Sequence, residues 1–264
     1  LSWRGATIEA YVDFHMERVF GTPSAQSLLE TVGNYIRIDI DASPNHLTMS
    51  NTKTREAMRA LLEEYNLPVL DVSTPLPPNA KRLVYAPISD DNPAVPVVNG
   101  RRIVGCGSWL ALAVEPLLSY PCCLRAYAAP APSKNSTFCM QWMASYAITH
   151  RRPLYFCRTS DGATTVTHVD TTMADQPDMA SHYGYWQGCC NASLRWRAFS
   201  GHQVHAATRG PELVAAVAGT HVSMYQRLLM YEARLGRLPG DIIMPIFMDN
   251  TASLANATAD SIHL

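Results

Sequence analysis

Lysine is nearly missing from this chain. Of its 21 basic residues, only Lys53, Lys81 and Lys134 are lysines, and the rest are arginines. Net charge is close to zero, at −1, so no global basic field exists to hold a polyanion. Any nucleic-acid partner must be held by local patches. Arginine suits phosphate forks and interface pairs, although a GC-rich genome produces the same skew. No C-x-x-C pair occurs among the seven cysteines, which argues against a zinc ribbon or finger. Two cysteine pairs, Cys122-Cys123 and Cys189-Cys190, are adjacent and make poor structural disulfides, so free thiols in a reducing compartment are expected. No apolar run reaches the roughly 18 residues a membrane span needs, so no membrane partner is expected. The first residue is not Met, a start that fits removal of an organellar presequence.

What is present is apolar residue in quantity. At 47% hydrophobic over 264 residues, the chain can bury a sizeable core in one or two domains. Within residues 1–33, Ala10 to Phe14 reads as a short strand and Ser24 to Val32 as a short helix. Residues 34–50 alternate Ile36, Ile38 and Ile40 with Arg37, Asp39 and Asp41 and carry a Ser-Pro-Asn turn, the pattern of a hairpin. Asp39 and Asp41 share a strand face, which suits either a metal or, far more commonly, solvent. Residues 51–66 space Ala57, Met58, Leu61, Leu62 and Tyr65 as one helix face. Residues 67–99 are dense in proline (Pro75, Pro77, Pro78, Pro87, Pro93, Pro96) and read as an extended linker. Residues 100–128 and 134–150 are two apolar helical segments. From 151 onward the pattern turns α/β, with strands expected near 153–158, 164–170, 183–188, 193–197 and 243–248, and helices near 211–234 and 251–258.

The motifs in this order resemble the C-terminal half of a copia-type LTR-retrotransposon polyprotein: the end of reverse transcriptase, the connection and the RNase H domain. Tyr35-Ile36-Arg37-Ile38 through Met49-Ser50 resembles its hairpin. Leu61-Leu62-Glu63-Glu64-Tyr65 followed by Val72-Ser73-Thr74-Pro75-Leu76, then Arg102 to Leu110, then Leu194-Arg195-Trp196 with Gln203-Val204, and Asp249 to Ala255 follow in register. The resemblance implies an RNase H-like mixed sheet flanked by helices, preceded by a β-hairpin and a small helical, connection-like subdomain. It divides the chain into 1–99, a reverse-transcriptase remnant; 100–150, the helical subdomain; and 151–264, the RNase H-like domain.

The same resemblance places Asp170, Glu212 and Asp249 as the acids that hold two Mg²⁺ about 4 Å apart for phosphodiester hydrolysis. Asp170 would bridge both ions. The departures matter too. Tyr11-Val12-Asp13-Phe14 stands where a polymerase would have a second Asp, so polymerisation is not expected. The sequence ends where the family supplies a fourth acid. Two of the three acids also have structural uses: Glu212 after Pro211 suits a helix start, and Asp249 beside Asn250 can cap the next helix. His168, two residues before Asp170 on the same strand face, suits either a nearby hydrogen bond or plain packing.

Arg195, Trp196, Arg197, His202 and Arg209 form a candidate nucleic-acid surface, in which arginines beside an aromatic hold phosphates and stack bases. The solvated face of an edge strand is the alternative. The expectation that follows is a retroelement-derived, non-catalytic, RNA-associated or scaffolding subunit of a larger ribonucleoprotein, with an organellar, mitochondrial ribosome as a candidate host. Its partners would be RNA or protein subunits, with no small-molecule substrate. The alternative is an active Mg²⁺-dependent ribonuclease H acting on RNA–DNA hybrids.

Overall fold

The computed structural model describes residues 34–35, 38–42, 46–96, 98–128, 131–157, 165–189, 192–201, 204–205, 207, 209–233 and 245–249. The strand expected at 10–14 and the helices expected at 24–32 and 251–258 lie outside them. The architecture is mixed α/β: two sheets with six helices among the described residues.

The hairpin forms as its alternation predicts. β1 (Asn34–Tyr35), β2 (Ile38–Ala42) and β3 (His46–Ser50) are antiparallel neighbours. The sheet then takes a distant strand, β4 (Leu154–Cys157), antiparallel to β3 with Leu47 opposite Phe156. The strand expected near 153–158 is therefore present, but it completes the hairpin's sheet, not the second one. The change of sheet falls after β4.

α1 (Thr52–Glu64) starts at Asn51, whose side chain accepts from the Thr54 amide at 2.9 Å, and it turns Met58, Leu61 and Leu62 inward. α2 (Ala80–Val84) interrupts the proline-dense stretch, where only a linker is expected from sequence. Leu67, Val69, Leu70 and Val72 of that stretch also pack on the core, so it is more than a surface tether. α3 (Val98–Ala113), α4 (Ser119–Ala128) and α5 (Lys134–Thr149) fill the two apolar segments, and Ser133 and Ser136 close a reciprocal capping box at the start of α5. α1, α3 and α5 bury one continuous cluster including Met58, Leu62, Ile103, Leu110, Met143 and Ile148. Inside it, the Arg55 guanidinium meets Glu115 at 3.1 Å, with both side chains at most 5% exposed. Burial pushes the Glu115 carboxyl up, and Arg55 pulls it only part of the way back.

The second sheet runs β7-β6-β5-β8. β5 (Thr165–Thr171), β6 (His182–Cys189) and β7 (Ala192–Ser200) are antiparallel, while β8 (Ile246–Phe247) lies parallel to β5. Between β7 and β8 the chain forms α6 (Arg209–Ala233), which packs on β5 and β6. Thr165, Thr167 and Val169 of β5 face α6 and are buried, whereas Val166, His168 and Asp170 face the other way. Gln187 donates to Thr167 at 3.1 Å, and Thr167 shares a 2.8 Å hydrogen bond with Ser223, which pins α6 to the sheet.

The helical unit and this sheet are joined by polar contacts. Trp196 Nε1 donates to the Ala111 carbonyl, Lys81 pairs with Asp175, and Asp175 holds His182 Nδ1 at 2.9 Å. Burial opposes the Asp175 charge, but hydrogen bonds from Lys81, Thr172 and His182 outweigh it and keep this carboxyl below the ordinary range. No helix among the described residues is long and apolar enough to cross a membrane.

Candidate metal centre

Three elements converge at one end of the second sheet. Asp170 is one residue from the end of β5. Asp249 follows β8 by two residues, with Ile246 and Met248 packed inward and Phe247 turned outward, so alternation carries Asp249 outward as well. Glu212 stands in the first turn of α6 on the face that also carries Ala215, Gly219 and Val222, all buried against the sheet.

How closely α6 approaches depends on Gly219. A Cβ there would press into Val169 Cγ1, so glycine sets the helix–strand distance. A closely seated helix brings Glu212 between two strand-borne acids. One carboxylate oxygen from each of Asp170, Glu212 and Asp249 lies within 4.8 Å of the other two.

The environments differ in a way that matters chemically. Asp170 and Asp249 are exposed, whereas Glu212 is 6% exposed. Glu212 Oε2 has no hydrogen-bond partner among the described residues. Burial, then the nearby Asp249 and Asp170 charges, raise the Glu212 carboxyl above its ordinary range. A buried carboxylate with one orphaned oxygen, close to two other acids, is costly for the protein alone. A cation of hard, oxygen-preferring type removes the cost. The donor set is all carboxylate, with no thiol or imidazole, and so fits Mg²⁺ or Mn²⁺ better than zinc or copper. Two cavities, of about 580 and 300 Å³, lie around α3 and β7, and neither is lined by any of the three acids. The cluster sits on an open rim, which suits a large substrate better than an enclosed small one.

The candidate nucleic-acid surface is rearranged relative to expectation. Arg195 and Arg197 are both exposed, as strand alternation predicts. Arg195 lies 5.2 Å over the Tyr225 ring and Arg197 lies 5.3 Å over Phe199. Neither joins the ion pairs found among the described residues. Trp196 does not belong with them. It is 9% exposed and bonded to Ala111, so it joins the sheet to α3 and has no free face for a base. His202 and the Arg209 side chain lie outside the described residues. Trp186 and Phe247, whose stacking no motif predicts, both stand beside His168 next to the acids. The His168-x-Asp170 and Phe247-x-Asp249 repeat is the signal that could have found Phe247.

Fold and site together define a mixed α/β protein with a three-carboxylate cluster at the ends of two parallel neighbouring strands. A scan against models of known protein families matched none, and no curated protein matched the chain.

Proposed function

We propose that this protein is a divalent-metal-dependent phosphodiesterase of the RNase H-like class, acting on nucleic acid. The observation that carries this reading is the Asp170, Glu212 and Asp249 cluster with its orphaned Glu212 oxygen. The strand order supports it: three antiparallel strands, a helix, then a strand parallel to the first, with acids on the first strand, on the helix and just beyond the last strand.

Divalent cations supply the Lewis acidity and charge neutralisation that phosphodiester hydrolysis needs. The chain's own residues do the holding. Asp170 and Asp249 offer carboxylates from the solvent side, where a phosphate backbone can approach. Glu212 closes the site from the protein side, and its burial keeps it from wandering. Arg195 and Arg197 on β7 stand on the α6 face of the sheet, opposite the face that carries Asp170 and Asp249, and so apart from these two acids.

The test is cleavage of an RNA–DNA hybrid with Mg²⁺, comparing wild type with Asp170→Asn and measuring thermal unfolding with and without Mg²⁺. Asp170-dependent cleavage together with cation-dependent stabilisation is expected. Absence of both removes the enzyme reading.

One observation favours a second reading, a subunit of a larger assembly. Leu213, Val217, Met224 and Leu228 on α6 are 37 to 61% exposed, at spacings of four, seven and four residues. At 100° per residue those spacings keep all four on one exposed face of α6, an apolar stripe that fits another protein's helix. Leu228→Glu weakening a purified native complex would support it, and a monomeric native protein would remove it.

A further inference from the structure

The two exposed acids share a local pattern. His168 stands two residues before Asp170 on β5, and Phe247 two residues before Asp249 beyond β8. The strands are parallel and pair His168 with Phe247 directly, so both rings lie on the face that carries the acids. Antiparallel β6 places Trp186 opposite His168 on the same face. The outcome is a row of three rings, one per strand. His168 and Phe247 stack with centroids 5.0 Å apart and planes at 18°. Trp186 lies 5.5 Å from His168 on its other side, at 46°.

This row is open. Phe247 is 51% exposed and His168 is exposed. It is also held in shape. Trp186 Nε1 donates to Ser193 Oγ at 2.8 Å, and the indole lies across Gly188, where any Cβ would collide with the ring. Trp186 is half-buried, and leaving His168 and Phe247 open forgoes the stabilisation that burying these rings would bring. Two residues along a strand span about 7 Å. A nucleotide whose phosphate lies at the acids can therefore reach the rings with its base.

We propose that Trp186, His168 and Phe247 form a stacking platform for unpaired nucleobases of a single-stranded nucleic acid whose backbone runs past Asp170 and Asp249. Every base has a π-face, so the platform is tolerant of sequence. Inside a continuous duplex those faces are covered by neighbouring pairs and nothing is left to stack. The substrate class is therefore a single strand or an unpaired end, in preference to the interior of an RNA–DNA hybrid. The placement of the phosphate rests on the metal-site reading above; the stacking does not.

The experiment titrates the purified full chain with a 15-nucleotide oligo-uridine and, separately, a 15-base-pair RNA–DNA hybrid. Intrinsic tryptophan fluorescence and anisotropy are followed in EDTA at 0.15 M salt, so metal plays no part. The single strand is expected to quench fluorescence, and Trp186→Phe to lose most of that quench. Paired substitution of His168→Ala and Phe247→Ala should weaken binding about 5- to 150-fold, the range of losing one stacked base. His168→Phe should retain it. Because both rings are exposed, unchanged unfolding temperatures will show that the variants fold. Single-strand affinity unchanged in the double variant, or equal affinity and quench with the hybrid, overturns the proposal. Repeating the titration with Ca²⁺ separates the two readings. A platform that fails while Ca²⁺ still stabilises the fold leaves the metal site standing, and stacking that persists with no Ca²⁺ effect leaves only the platform.

Discussion

Replacing Glu212 by glutamine should make the metal-free protein more stable. The reasoning runs through three opposing contributions. Like charges within 4.8 Å repel. At an effective dielectric of about 20 each pair costs about 3 kcal/mol, reduced to about 1 kcal/mol by solvent around the two exposed partners. Desolvation of the buried carboxylate adds to that penalty. Against them stands the favourable interaction of a first-turn acid with the helix dipole, worth about 0.3–1 kcal/mol. The penalties win, so Glu212→Gln in EDTA at pH 7.5 should gain about 1–2 kcal/mol, or about 3–6 °C in Tm. The pH dependence carries the same sign. A raised carboxyl means the native state binds its proton more tightly than the unfolded chain does. Stability from this group is then full below the ordinary glutamate pKa and is lost as pH rises through the elevated native value. The variant should lack that decline. Magnesium closes the gap: at ten times its dissociation constant it stabilises wild type by about 1.4 kcal/mol, an increment Glu212→Gln should largely lose. Urea melts with Mg²⁺ or EDTA, at pH 4.5 and 7.5, read all of this. A variant less stable than wild type in EDTA, or equally stabilised by Mg²⁺, would refute the account of Glu212 as a strained metal ligand.

Gly219→Ala should cost about 1–3 kcal/mol from overpacking against Val169, offset by up to about 1 kcal/mol of helix propensity, and should weaken the Mg²⁺ stabilisation by moving α6 away from β5. Thermal melts with and without Mg²⁺ check both effects. Arg55→Met leaves Glu115 charged and unpaired in the helical core, and should destabilise by about 3–5 kcal/mol in urea unfolding, with the loss largely relieved by adding Glu115→Gln. Trp196→Phe removes the hydrogen bond to Ala111 and should cost about 1–3 kcal/mol of stability while leaving oligonucleotide affinity unchanged in anisotropy titrations.

Local periodicity made most elements legible. The i, i+3, i+4 spacing of α1 and the alternation of β2, β5 and β7 each report one face of one element. They do not report what that face meets. β4 shows this: a four-residue apolar run carries no mark of its partner, and its pairing with β3, more than a hundred residues earlier, is decided by tertiary packing. Trp196 shows it again. Alternation correctly sets Arg195 and Arg197 on one face and Trp196 on the other, but only the arrival of α3 makes that other face an interior. α2 was hidden for a different reason. Prolines on both sides suggested an extended chain, while Asn79 in the left-handed conformation (φ 59°) starts a helix between them.

For the acids, sequence left two accounts of Glu212 and Asp249 standing, helix-end chemistry or metal, and burial separates them for Glu212. An acid whose purpose is to complement a helix dipole gains from solvent and has no reason to be enclosed. Glu212 is enclosed, lacks a partner for Oε2, and faces two other carboxylates that raise its proton affinity further. The dipole contributes up to about 2 kcal/mol at a partly buried site, less than the burial and two repulsions it would have to offset together. α6 starts two residues before Pro211, at Arg209, so Pro211 is not its first residue but sits in the first turn, where its missing amide costs the helix nothing. A structural feature that only cost stability would be expected to relax by turning the side chain outward, and Gly219 shows that α6 is instead seated tightly against Val169. The enclosed carboxylate is therefore better accounted for by a ligand it waits for than by the helix it begins.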